Sequence, residues 1–192
     1  TLDPNATPTA TPTADPKKFA AAEQVLDPTK DYRAVVKTNK GDFTLTLRAD
    51  VAPKTVNNFV FLAEKNFYDG VIFHRVINNF VVQAGDPAGT GVGPYPGYTT
   101  ADEQNQLRNT RGMVSMAKQP GKSEFGSQFF INLKANPNLD FDNSTPNRYY
   151  PFAEVTAGMD VVDAIARVPV DANDKPTEQV VINDIVIETS NK

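Results

Sequence analysis

The sequence predicts a mainly β fold, a closed antiparallel β-barrel capped by two α-helices, and three observations carry that prediction. Short β-type apolar runs recur from about residue 32 to the C-terminus. Only two later stretches show a helical period. Strands and helices do not alternate in the βαβ manner that builds a parallel sheet.

Taken in order, residues 1 to 16, "TLDPNATPTATPTADP", hold almost no large apolar groups. Such a segment buries too little to offset its ordering entropy, so a disordered spacer is expected, extended by its prolines. The stretch "KKFAAAEQVLD" (17–27) suggests a short helix before Pro28. The chain therefore divides into a tail over 1–30 and one folded domain over 31–190. It begins at Thr1 rather than Met, and a Thr/Pro-rich spacer ahead of a domain favours an exported, cell-envelope location over a cytoplasmic one. The plainer alternative is an ordinary linker.

Within the domain, "RAVVKTNKGDFTLTLRAD" reads as a hairpin, with Phe43, Leu45 and Leu47 alternating after the "TNKGD" turn. In "APKTVNNFVFLAEKNF" (52–67) the period changes, and Val56, Phe59, Val60 and Ala63 share one helical face. Strands follow at 71–75, 79–84, 112–117, 127–133 and 150–155. "GMDVVDAIARV" (158–168) is the second helix, with Val161, Val162, Ile165 and Val168 on one side. "QVVINDIVIETS" closes the domain with a strand. The Gly/Pro-rich stretch 85–111 reads as a flexible surface loop. Its "GTGVG" lacks the Lys-Ser/Thr of a phosphate loop and opens no helix.

Composition narrows the chemistry. The 192 residues are 40% hydrophobic and 22% charged, which suits one soluble domain. A net charge of −4 with scattered basic residues argues against nucleic acid. No apolar run approaches the roughly 20 residues a membrane helix needs. Cysteine is absent, which removes disulfides, thiol nucleophiles and thiolate metal sites together. The single histidine, His74, has no partner cluster at metal-ligand spacing and no G-x-S-x-G elbow to serve. No metal and no cofactor are expected. No coiled-coil pattern is present, and a monomer is the default.

The stretch "FHRVINNFVVQAGDP" (73–87) is the unusual one. Strand alternation puts Phe73 and Arg75 on one face and His74 on the other. Singly, Arg75 reads as a solvated strand residue, Phe80 as core and Gln83 as an edge polar group. In "GSQFFINL" (126–133), Phe129 and Phe130 must face opposite ways, one into the core and one onto the surface or a groove.

In combination, "FHRVINNFVVQAGDP", "GMVSMA" (112–117), "GSQFFI" and "PFAEV…GMDVVDAI", in that order and spacing, resemble the cyclophilin family of peptidyl-prolyl isomerases over roughly residues 32 to 189. The resemblance implies a closed eight-stranded antiparallel barrel capped by two helices. It implies a catalytic arginine at Arg75, a pocket phenylalanine at Phe80 and a substrate-orienting glutamine at Gln83. Val81 stands where the family often has Met. Ala117 and Lys118 match the peptide-contacting strand, Lys118 replacing a frequent Asn whose backbone does the binding. Gln128, Phe130 and Leu139 match groove and pocket positions, Tyr149 falls where members carry His or Tyr, and Gly89 borders a neighbouring side pocket. The implied partners are proline-containing peptides and unfolded or folding proteins. Asn138 occupies the place of a tryptophan that helps bind cyclosporin in some members, so weak binding of that drug is expected. The segment "FDNSTPNRYYP" (141–151) is longer than the family's usual turn, and "SMAKQPGKSEFGSQ" (115–128) carries a small extension. A peptide-binding module without useful turnover, or an envelope scaffold of the same fold, remains the alternative function.

Overall fold

β1 (Lys30–Thr38) and β2 (Gly41–Leu47) form the predicted hairpin. The turn is tied by the Thr38 hydroxyl, which donates to the Gly41 carbonyl at 2.6 Å and accepts from the Lys40 N–H at 3.0 Å. Gly41 has φ +121°, and a Cβ there would meet Val161 at 3.0 Å, so the turn needs glycine. Tyr32, Ala34 and Val36 of one strand and Phe43, Leu45 and Leu47 of the other are all buried. The structure, a computed structural model, describes residues 15–192.

α1 (Pro53–Glu64) and then β3 (Arg75–Ile77), β4 (Val81–Ala84) and β5 (Thr100–Ala101) follow. Next come β6 (Met113–Met116), β7 (Glu124–Phe125), β8 (Phe129–Asn132) and β9 (Pro151–Ala157). α2 (Met159–Ala166) and β10 (Ile182–Asn191) complete the chain. Eight strands make one antiparallel sheet in the order β10-β1-β2-β9-β6-β8-β4-β3. β5 and β7 pair separately, a two-residue ladder too short to leave an alternating pattern in the sequence.

The ladder is not continuous around a full barrel. The strand expected over 71–75 is displaced to Arg75–Ile77, and Ile72 makes only an isolated antiparallel bridge with Val181. Backbone bonds from Phe73 N to Val180 O (2.9 Å) and from Ile182 N to Val71 O (2.8 Å) hold this seam between the sheet's two ends.

α1 begins at Pro53, whose missing N–H costs nothing at that position. The Glu103 carboxylate accepts from the Thr55 N–H (2.6 Å) and hydroxyl (2.9 Å), placing negative charge at the positive end of the helix. Val56, Phe59, Val60 and Ala63 are buried as the period requires, but so are Asn57, Asn58, Phe61 and Leu62.

The cover comes partly from residues 15–29, which run along α1 without forming the helix expected over 17–27. Phe19 packs edge-on to Phe61 with ring centroids 5.2 Å apart. Asn57 accepts from the N–H groups of Val25 and Leu26 and donates to the Glu23 carbonyl. The Lys17 ammonium donates to the carbonyls of Phe67 and Asp69. Isolated helices below roughly 12 residues are marginal in water, so these contacts win over local propensity. The stretch from Asp15 thus packs with the domain, and the part of the expected spacer over 1–14 lies outside the described residues.

Candidate active site

Register sets the site. Val76, Val82, Ile131 and Val114 are cross-strand neighbours on β3, β4, β8 and β6, and all four are in the core. One residue along, the same ladders align Arg75 with Gln83 and Gln83 with Phe130. Side chains alternate across a sheet, so this second row faces away from the core. A one-residue slip would send an arginine into the core. The alternation does not extend back to Phe73, which is fully buried in the core while Arg75 faces outward. Residues 73 and 74 precede the strand, and the period breaks there.

Phe129 and Phe130 divide as adjacent strand residues must. Phe129 joins the main core, and Phe130 forms a separate small cluster with Val81 and Leu139, flanked by Phe80, Ala117 and Tyr149. Tyr149 meets Phe130 edge-on at 5.4 Å between centroids. These apolar walls and the Arg75 and Gln83 side chains surround a cavity of about 480 Å³. Lys118 lines it too. An adjoining cavity of about 680 Å³ shares Gln83, Ala117 and Lys118 and adds Gln128. Val92, 82% exposed, stands on the rim common to both.

A polar chain links the two spaces. Arg75 Nη1 donates weakly to Gln83 Oε1 at 3.4 Å, Gln83 Nε2 donates to Gln128 Oε1 at 3.0 Å, and Gln128 Nε2 donates to the Gly91 carbonyl at 3.0 Å. The guanidinium is thereby aimed while most of its donors stay free for a ligand.

Gly89 lies outside both cavities. It is buried against Ile72, and its carbonyl accepts from the Lys175 ammonium at 3.2 Å. Gly91 is the glycine that lines them, with φ +79° and a virtual Cβ only 3.3 Å from His74 Nε2. The loop is not loose here. Asp86, 1% exposed, accepts from the N–H groups of Ala88, Thr90 and Gly91 and from the Thr90 hydroxyl, all within 2.8–3.0 Å.

Burial pushes the Asp86 carboxyl up, but the N–H donors of Thr90, Ala88 and Gly91 together outweigh it and hold the pKa below the ordinary 3.8. A depressed folded pKa gives stability that is present above the unfolded value and lost as pH falls through the folded one. Asp86→Ala is expected to cost about 3 kcal/mol in urea unfolding at pH 7. The difference from wild type should shrink as pH drops below about 4. A loss under about 0.5 kcal/mol, the size of an ordinary surface change, would mean the turn is held by something else.

The pocket floor rests on amides that sequence reasoning missed. Asn109 Nδ2 donates to the carbonyls of Leu139 (3.1 Å) and Tyr149 (3.0 Å), and its backbone N–H donates to Asp140 at 2.6 Å. Asn136 Nδ2 donates to the Phe80 carbonyl at 3.2 Å and to Asn132 Oδ1 at 2.8 Å. Three pocket residues thus have their backbones fixed by buried side chains. His74, Thr90, Pro120 and Asn173 also line the cavity unanticipated. They come from separate loops, of which the long 85–111 connection and the extension around Pro120 gave some signal.

Lys118 brings a side chain as well as a cavity wall. Its ammonium pairs with Asp102, both side chains nearly buried (5% and 12% exposed), and lies over the rings of Tyr149 and Tyr150 at 5.4 and 5.5 Å. Among the described residues no group of His, Cys, Asp and Glu is placed to hold a metal ion, and no helix is long and apolar enough to cross a membrane.

Residues 33–187 match the family model "Cyclophilin type peptidyl-prolyl cis-trans isomerase/CLD". A probable peptidyl-prolyl cis-trans isomerase A of Mycobacterium leprae is 41% identical over 172 residues, 80% of this chain and 91% of that protein. An Arabidopsis thaliana peptidyl-prolyl cis-trans isomerase is 38% identical over 160 residues, but the match spans only 26% of its length. The crystal structure of a Cryptosporidium parvum cyclophilin-type isomerase superposes with a TM-score of 0.75 at 34% identity, covering 84% of this chain and 99% of that one. A second structure of that protein, obtained in the presence of the dipeptide Ala-Pro, has a TM-score of 0.74. The chain belongs to the cyclophilin-type peptidyl-prolyl cis-trans isomerase family.

Proposed function

We propose that this chain accelerates rotation about Xaa-Pro bonds by holding the proline ring in the socket of Phe80, Val81, Phe130 and Leu139 while Arg75 stabilises the twisted amide. The observation that carries the reading is the outward row of Arg75, Gln83 and Phe130 beside that socket. An amide resists rotation by about 18–20 kcal/mol because twisting breaks its conjugation. No bond is made or cut, so neither nucleophile nor metal is required. In the twisted state the proline nitrogen regains a lone pair, and a guanidinium donor near it binds that state better than the planar one. Gln83 and the Lys118 backbone orient the flanking peptide.

The required effect is modest. Taking an uncatalysed rate of about 0.01 per second, a turnover near 10 per second needs about 4 kcal/mol of stabilisation. The test is cis-to-trans relaxation of an Ala-Pro test peptide, followed by NMR exchange. Catalysis well above the background rate is expected. A folded protein that binds the peptide without accelerating rotation would replace the enzyme by a binding module.

Two flanking groups shape the pH profile. Burial pushes the His74 imidazole below its ordinary 6.5, with the Asp86 carboxylate opposing. Burial pushes the Tyr149 phenol above 10.0, with Arg75 opposing. Both move away from neutrality, so kcat/KM is expected to stay flat between about pH 7 and 9. A change of threefold or more across that window would mean that a titrating group takes part.

The Ile72–Val181 bridge and its flanking backbone bonds support reading the sheet as a barrel closed at that seam. The exposed Asn138 offers a peptide drug little apolar area, which supports weak cyclosporin binding. The Thr/Pro-rich composition of residues 1 to 16 supports an extracytoplasmic location.

A further inference from the structure

Beside the socket lies a third cavity, of about 290 Å³, polar where the socket is apolar. Its walls come mainly from two irregular connections, over 118–123 and 144–150. Lys118 lines this cavity and the socket alike, and the neighbours Tyr149 and Tyr150 divide them, one on each side. A peptide seated by its proline therefore passes the mouth of the polar cavity within a few residues.

The charges inside do not balance. Lys118, Lys122 and Arg148 face a single carboxylate, Asp102, which Lys118 already holds. Among the described residues neither Lys122 nor Arg148 has an ion-pair partner. Asp142 is close enough to feel Arg148, but both its oxygens accept from Arg108. Arg148 Nε donates to the Asn143 carbonyl at 2.9 Å, which anchors the guanidinium and leaves its terminal nitrogens free. Hydroxyls of Ser123 and Ser144 supply further donors. In a chain of net charge −4, a concave site with surplus cations focuses positive potential locally. Lone exposed lysines are ordinarily just solvated, but here two free cations converge on one concavity sharing a wall with the reaction site.

We infer that this cavity is an accessory subsite for an anionic side chain, a carboxylate or a phosphate, carried a few residues from the substrate's proline. The inference rests on the isomerase reading above and deepens it. Guanidinium donors suit either oxyanion, and the two sources differ in charge and size.

The test is a matched series of Ala-Pro peptides carrying Glu, phosphoserine or Gln at each flanking position in turn. At one position the kcat/KM ratio of Glu to Gln is expected to reach about three- to fivefold at low salt. It should fall toward one at about 0.5 M salt. In the Lys122→Ala/Arg148→Ala double variant the ratio should collapse to about one. A phosphoserine ratio above the Glu ratio would assign the site to phosphate, and the reverse to carboxylate. A wild-type ratio near one at every position, or a ratio that survives the double variant, overturns the subsite. If the double variant fails to fold, Arg148→Gln and the salt dependence decide the matter. Turnover of the Gln peptide separates the two readings: without it the isomerase mechanism fails, and peptide affinity by titration then judges the subsite alone.

Discussion

Arg75→Ala is expected to lower kcat/KM for an Ala-Pro peptide by about a hundredfold, with most of the loss in kcat. Removing a donor that acts mainly in the transition state costs about 10²–10³ in rate. A loss confined to that state appears in kcat rather than KM. The fold should survive, because Arg75 lies outside the core and its side-chain hydrogen bond to Gln83 is long at 3.4 Å. The melting temperature is therefore expected to move little. Arg75→Lys keeps the charge but loses the planar fork, so it should recover only part of the activity. Activity within about threefold of wild type in Arg75→Ala, with the protein folded, would leave the family assignment intact and remove this mechanism.

The parts legible in the sequence were those with local periodicity. The face of α1 formed by Val56, Phe59, Val60 and Ala63 follows from spacing alone, and so does the division of Phe129 from Phe130. Phe73 was wrongly placed on the face of Arg75 because alternation was carried across residues 73 and 74, which are not yet in the strand. Residues 17–27 looked helical by composition, yet Asn57, some 30 residues downstream, captures their backbone, and no local pattern announces such a partner. Gly89 and Gly91 sit two residues apart in one motif. Only the fold decides which passes over His74.

The amides beneath the pocket are the clearest case of illegibility, and they carry the second large expectation. Asn109, Asn136 and Asp140 look like loop polar residues in the sequence and Asn132 like the polar end of a strand, but all four are at most 2% exposed. Asn109 accepts from the Ser115 hydroxyl at 2.8 Å and from Asn132 Nδ2 at 3.3 Å while donating to the Leu139 and Tyr149 carbonyls. Alanine there would strand these groups without water, and each buried unsatisfied polar group costs about 1–3 kcal/mol. Neighbours sharing one network do not relax independently. Asn109→Ala is expected to destabilise the domain by about 3–4 kcal/mol in urea unfolding. Leu139 and Tyr149 would lose the support that holds their backbones at the socket, so peptide affinity should fall in the protein that remains folded. Asn109→Asp tests the direction of the donors: an ionised carboxylate cannot donate to two carbonyls, and it would also face Asp140, so it should be as damaging as alanine near pH 7. If Asn109→Asp keeps wild-type stability there, donation to the two carbonyls is not what fixes the pocket floor.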